Sequence, residues 1–194
     1  MLWRLLGGLS RVFLITGFGA SGTKYTATIF QKLGYDVGHE KDGKDGVVSW
    51  KHLTKHENYG IILHQVRHPL KVLGSAVTGR NSSLEYILSN FDDVPYVYED
   101  KLHTVMYAYI MWTEWADKVS HYKYRVEDFE TEYKVIFELL GLDVPKRLPA
   151  VPKNFNSHSH KDTYMKVTVD DLYERDSILA RDIMDIILIE GYEV

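Results

Sequence analysis

Glycine, hydroxyl and lysine residues crowd into one short stretch, Gly17-Phe18-Gly19-Ala20-Ser21-Gly22-Thr23-Lys24-Tyr25. Residue types in this order are suited to holding an oxyanion. Glycines let the main chain approach a charged oxygen closely, and a helix that begins there aims its first N–H groups and its dipole at the same point. Thr23 adds a hydroxyl and Lys24 a cation. The run before the stretch, Val12-Phe13-Leu14-Ile15-Thr16, is apolar and rich in strand formers, and Thr26-Ala27-Thr28-Ile29-Phe30-Gln31-Lys32-Leu33 after it suits a helix. Strand, small-residue turn and helix together predict a grip on a phosphate or sulfate-like group.

The spacing narrows the kind of grip. A nucleoside-triphosphate loop needs G-x-x-x-x-G-K-[ST]. Gly17 and Gly22 have that separation, but Thr23 stands where the lysine belongs, and Tyr25, with no metal-binding hydroxyl of the required kind, follows Lys24. A second element lies at Ile61-Ile62-Leu63-His64-Gln65-Val66-Arg67-His68-Pro69, where an apolar strand ends in Arg67 and Pro69 opens a helix. Ser75 follows Arg67 by eight residues. A guanidinium offers a charged fork and a serine a neutral hydrogen bond, a suitable pair for one phosphate. A third segment, Tyr124-Arg125-Val126-Glu127-Asp128-Phe129, ends a strand and leads into acids that a helix's first turn favours.

Taken together, these segments resemble the sulfotransferases over about residues 12 to 140. Ser21-Gly22-Thr23 is similar to the family's 5′-phosphosulfate loop, and Arg67 with Ser75 to its 3′-phosphate pair. Residues 124–129 look like its Tyr-Glu-Asp-Leu-type segment, with one residue inserted before the acids. The resemblance implies 3′-phosphoadenosine 5′-phosphosulfate as co-substrate, a hydroxyl acceptor on a carbohydrate or small polar molecule, and no metal requirement. It implies nucleotide contacts from Gly19, Ala20, Ser21, Gly22, Thr23, Lys24, Tyr25, Arg67, Ser75 and Tyr124, and from a late basic loop carrying His158, His160 and Lys161. The chain departs from the family at Ala20, where many members carry a Lys or Arg that contacts the leaving phosphate. Either Lys24 takes over that charge, or the protein binds nucleotide with little transfer.

Transfer also needs a base. Tyr35-Asp36-Val37-Gly38 reads as a strand, which brings His39 and Glu40 out at the carboxyl edge of the sheet, where α/β proteins bind ligands. Glu40 is the first candidate for general base, with His39 orienting or replacing it; the alternative is a loop carboxylate paired with Lys41 or Lys44. Residues 45–50 are expected to line an acceptor cleft, with Trp50 stacking or packing there. His52 and His56 would share a helical face if residues 49–57 are helical, and a solvated face is favoured over zinc.

The elements that position these groups follow from apolar patterning. Strands are expected near residues 12–16, 35–38, 61–66 and 122–126, and helices near 22–33, 70–79, 83–91, 99–119, 131–140 and 175–190. Alternation of strand and helix predicts an α/β fold, three-layer α/β/α, with a central and mostly parallel sheet of about four to five strands. In architecture this is P-loop NTPase-like. The stripe Leu102, Val105, Met106, Tyr109, Trp112, Thr113 and Ala116 marks core, and the last helix is expected to pack on the sheet through Ile178, Leu179, Ile183, Ile186, Ile187 and Leu188, closing at Gly191.

Composition bounds the rest. With 194 residues, 45% of them hydrophobic, residues 1–194 are expected to form a single domain. A net charge of −4 gives no global field for nucleic acid, so any anion site is a local device. The absence of cysteine excludes disulfides, thiolate zinc sites and cysteine nucleophiles, and fits the cytoplasm. Residues 1–9 are apolar but short and interrupted by Arg4 and a glycine pair, so neither a membrane span nor a signal peptide is expected. Two other readings stay open: a P-loop kinase or NTP hydrolase, which would need an aspartate at a strand end, and a catalytically weak nucleotide-binding protein.

Overall fold

A computed structural model of the chain describes residues 12–92, 100–152 and 164–193. Five strands form its sheet: β1 Phe13–Thr16, β2 Val37–His39, β3 Gly46–Val48, β4 Ile61–Val66 and β5 Tyr122–Arg125. Their order is β2-β3-β1-β4-β5, and every pairing is parallel. The helices are α1 Thr23–Lys32, α2 Pro69–Val77, α3 Asn81–Leu88, α4 Lys101–Val119, α5 Phe129–Leu139, α6 Val169–Arg175 and α7 Ser177–Ile189. Short 3₁₀ segments span Lys51–Asn58 and Val126–Asp128.

Parallel strands are buried on both faces, which explains their unbroken apolar runs. Successive residues of β1 point to opposite sides, so Phe13 and Ile15 join one core while Leu14 joins another. The first core sits under α1 and α5, where Phe30 stacks on Phe137 with centroids 4.8 Å apart. On the opposite side α2, α3, α4, α6 and α7 form a larger core around the fully buried Trp112. The expected three-layer α/β/α arrangement is therefore present, and all seven residues of the α4 stripe are buried.

Three elements differ from expectation. Residues 46–48 form an inner strand between β2 and β1 instead of a cleft wall. Two valines are too short a run to announce a strand; pairing on both sides makes it one. Helix α6 begins at a reciprocal cap, Thr168 with Asp171, that was not foreseen. Helix α7 packs mainly on α4, α2 and α6, and its C-terminal end meets β5 through Arg125, whose Nη1 donates to the Gly191 carbonyl at 2.8 Å. Only Leu179, Ile183 and Ile187 of its expected face are buried, whereas Ile178 and Leu188 are exposed. A helix apolar nearly all round does not declare which face will be covered. Its end at Gly191, with φ 71°, is as expected.

No helix among the described residues is long and apolar enough to cross a membrane. Residues 1–9 and the 154–162 loop with His158, His160 and Lys161 lie outside the described residues.

Candidate functional site

The strand order has a reversal at β1: the chain first lays β2 at one edge and β3 between it and β1, then crosses to the other side for β4 and β5. Such a switch point leaves a crevice beyond the carboxyl ends of the strands, because the flanking connections leave in opposite directions. Thr16 lies beside His64 in the register of β1 and β4. The glycine-rich stretch that follows Thr16 is thus held beside the residues that follow His64.

The turn itself is tightly built. Ser21 N–H donates to the Phe18 carbonyl at 3.1 Å, Ala20 takes φ 72° and Gly22 takes φ 90°. A β-carbon at Gly22 would stand 2.9 Å from a Val126 methyl, and one at Gly17 would run into the Gln65 carbonyl. Gly17 and Gly22 therefore serve backbone conformation and close packing, while Gly19 faces open space. Gly22 is the N-cap of α1, and no side chain caps that end. The first N–H groups of α1, including Thr23 and Lys24, form the positive end of the helix dipole.

Two side chains of the β4 end grasp two consecutive carbonyls of this turn. Arg67 Nη1 donates to the Ala20 carbonyl at 3.1 Å, and Gln65 Nε2 donates to the Ser21 carbonyl at 2.7 Å. Arg67 thus faces the turn carrying Ser21 and Thr23. Ser75 lies on the α2 helix that follows, its hydroxyl donating to the Lys71 carbonyl at 3.0 Å. Next to it, Gly74 lies against the Met165 carbonyl and the Tyr164 ring.

Other candidates hold different places. The Ser21 hydroxyl is buried, without a protein partner, and turned in beneath the turn toward Gly17. The Tyr25 ring packs edge-on against Phe129. Tyr124 is only 2% exposed, and its hydroxyl donates to Gln65 Oε1 at 2.7 Å, which puts it behind the turn as a support.

The candidate base pair reaches the same turn from β2. Thr23 Oγ1 lies 3.3 Å from His39 Nε2, which lies 3.8 Å from Glu40 Oε1. Ser49 Oγ donates to Glu40 Oε2 at 2.7 Å, and the Trp50 N–H reaches Oε1 at 3.4 Å. Glu40 takes the left-handed φ of 54°, which turns its carboxylate toward these donors. Burial raises its pKa above the ordinary carboxylate value, and the Ser49 and Trp50 donors oppose that rise. Burial and then the Lys24 charge lower the pKa of His39. A proton acceptor with a raised pKa beside a neutral imidazole is equipped to take a proton from a hydroxyl. Ser49 and Trp50 orient Glu40.

His52 and His56 do not share a helical face. The segment kinks at Lys55, where φ is −120°; His52 Nδ1 lies 2.6 Å from the Tyr59 hydroxyl, and His56 Nδ1 lies 3.1 Å from the Leu53 carbonyl. Glu127 accepts from the Tyr192 hydroxyl at 2.9 Å and Asp128 pairs with Arg125, so both acids hold structure. Gln65 escaped sequence reasoning altogether. Its signal was a polar residue in an apolar strand, two positions before Arg67.

No family model matches the chain, and no curated protein matches it. Among solved structures, the chain is similar to the crystal structure of mouse sulfotransferase SULT7A1 complexed with PAP, with 12% sequence identity and a TM-score of 0.44 over 92% of this chain and 89% of that one.

Proposed function

We propose that this protein is a sulfotransferase that moves the sulfuryl group of 3′-phosphoadenosine 5′-phosphosulfate to a hydroxyl of a carbohydrate or other small polar acceptor. The observation that carries the reading is the contact of Arg67 with the Ala20 carbonyl, which sets a guanidinium beside an anion-binding turn. A doubly phosphorylated nucleotide needs two such grips close together; a nucleoside triphosphate does not need the second. In this reading the backbone from Gly19 to Lys24 holds the 5′-phosphosulfate, and Arg67 with Ser75 holds the 3′-phosphate.

The chemistry is an in-line displacement at sulfur, analogous to phosphoryl transfer. The acceptor oxygen forms a bond to sulfur as the bond from sulfur to the phosphate oxygen breaks. The acceptor's proton passes to Glu40, with His39 at its side. Charge growing on the bridging oxygen and leaving phosphate is met by Lys24 and the N-terminal N–H groups of α1, donors already in place before reaction. Position 20 carries no cation, so within the loop Lys24 is the charged side chain that shares this duty with those N–H groups.

Calorimetric titration with adenosine 3′,5′-bisphosphate and with ATP, each with and without magnesium, tests the reading. The bisphosphate is expected to bind without metal. Tight ATP binding that depends on magnesium, with none of the bisphosphate, overturns it.

A further inference from the structure

We infer that Gln65 is the positioning residue that turns the anion loop's N–H groups toward the ligand, an assignment that rests on the reading of that loop as the 5′-phosphate grip. Gln65 is fully buried at the end of β4. Its amide is used at both ends. Nε2 donates to the Ser21 carbonyl at 2.7 Å, while Oε1 accepts from the Thr26 hydroxyl and, at 2.7 Å, from the Tyr124 hydroxyl. One side chain therefore joins the turn, the first helix and the neighbouring strand.

The geometry of the peptide unit gives this contact its consequence. In a planar trans peptide the carbonyl of one residue and the N–H of the next point in opposite directions. Holding the Ser21 carbonyl back against β4 thus turns the Gly22 N–H outward, at the start of α1. The φ of 90° at Gly22 requires a residue without a β-carbon, and the Gln65 amide lies 3.3 Å from where that β-carbon would stand. The glycine and the glutamine fit each other. The site asks for one donor to a carbonyl and an acceptor for two hydroxyls, in a place where a charge would be costly, so a neutral side chain with both functions is needed.

The Thr26 and Tyr124 hydroxyls fix which way the amide is turned. Both donate to Oε1, which leaves Nε2 for Ser21. Their removal frees the amide to rotate, and the turn loses a fixed carbonyl. Tyr124 thereby influences nucleotide binding from behind the turn.

The test compares adenosine 5′-phosphate with adenosine 3′-phosphate on the full chain by calorimetry, with thermal melting measured on each variant. Gln65→Met is expected to weaken the 5′-phosphate about tenfold, the scale of one lost buried hydrogen bond, and to leave the 3′-phosphate within about twofold. Gln65→Glu keeps the acceptor but loses the donor at neutral pH; its 5′-phosphate affinity is expected to recover as pH falls and the buried acid regains its proton. Tyr124→Phe, the milder change, is expected to weaken the 5′-phosphate alone by about threefold, and carries the test if Gln65→Met does not fold. Equal loss of both nucleotides, or no loss in variants that melt normally, overturns the assignment while leaving the nucleotide site standing. If the unaltered protein binds neither nucleotide, the reading of the site falls, and this assignment with it.

Discussion

Arg67 Nη1 donates to the carbonyl of Ala20 at 3.1 Å, across 47 positions of sequence. The contact follows from the pairing of β1 with β4, which sets Thr16 beside His64 and so carries both following segments to one edge. It brings a fixed positive charge to a turn whose own side chains include only one cation, Lys24.

Arg67→Ala is expected to weaken adenosine 3′,5′-bisphosphate by about 10- to 100-fold, the range for a hydrogen bond to a charged group. Arg67→Lys recovers only part of this, since an ammonium lacks the planar fork. Equilibrium binding of the bisphosphate checks both. An unchanged affinity in Arg67→Ala would remove the second grip.

The pH dependence of kcat/KM should carry the mark of Glu40. Its pKa is raised by burial, and the carboxylate is the active form of a base, so the acid limb should lie above the ordinary carboxylate value. Ser49 donates to that carboxylate and stabilises its charge. Ser49→Ala is therefore expected to move the limb to higher pH by about one unit, the equivalent of one hydrogen bond. A limb that stays in place excludes Glu40 as the group that titrates.

Two glycines of the turn should respond very unequally to the same change. A methyl at Gly17 meets the Gln65 carbonyl and stands 2.7 Å from Ser21 Oγ, while one at Gly19 meets nothing within 4 Å. Gly17→Ala is expected to destabilise the fold by about 2 kcal/mol or more through overpacking, and Gly19→Ala by less than about 0.5 kcal/mol. Urea denaturation of the two variants gives the comparison directly.

Glu190 is a buried carboxylate that the fold leaves poorly compensated. It caps α7 at the end where the dipole disfavours an anion, its side chain is 1% exposed, and neither carboxylate oxygen has a hydrogen-bond partner. Burial pushes its pKa up to about 7; Lys123, 3.8 Å away, opposes this, and Asp117 and Glu127 add to it. The native state thus holds this proton more tightly than the unfolded chain. That contribution is complete below the ordinary value of 4.5 and is lost as pH rises through 7. Relative to Glu190→Gln, the unaltered protein should lose up to about 3 kcal/mol between pH 5 and pH 8. Denaturation midpoints at the two pH values measure it, and parallel losses in both proteins would rule the effect out.

The α/β class, the strand–turn–helix at residues 12–33 and the buried stripe of α4 were legible from the order of residues because each depends on neighbours near in sequence. Apolar runs and glycine placement act locally, within one turn or one strand. The strand at Gly46–Val48 and the choice of which α7 residues are covered were not legible, since each depends on what a distant segment lays against it. Gln65 shows the division most clearly. By itself it is one polar residue in an apolar strand; once β1 and β5 flank β4, it reaches Ser21 on one side and Tyr124 on the other. Sequence alone determined the strand, the glycine-rich turn and the helix at residues 12–33. Tertiary structure decided what braces the turn and which groups face it, because strand pairing brings together residues that the covalent chain keeps far apart.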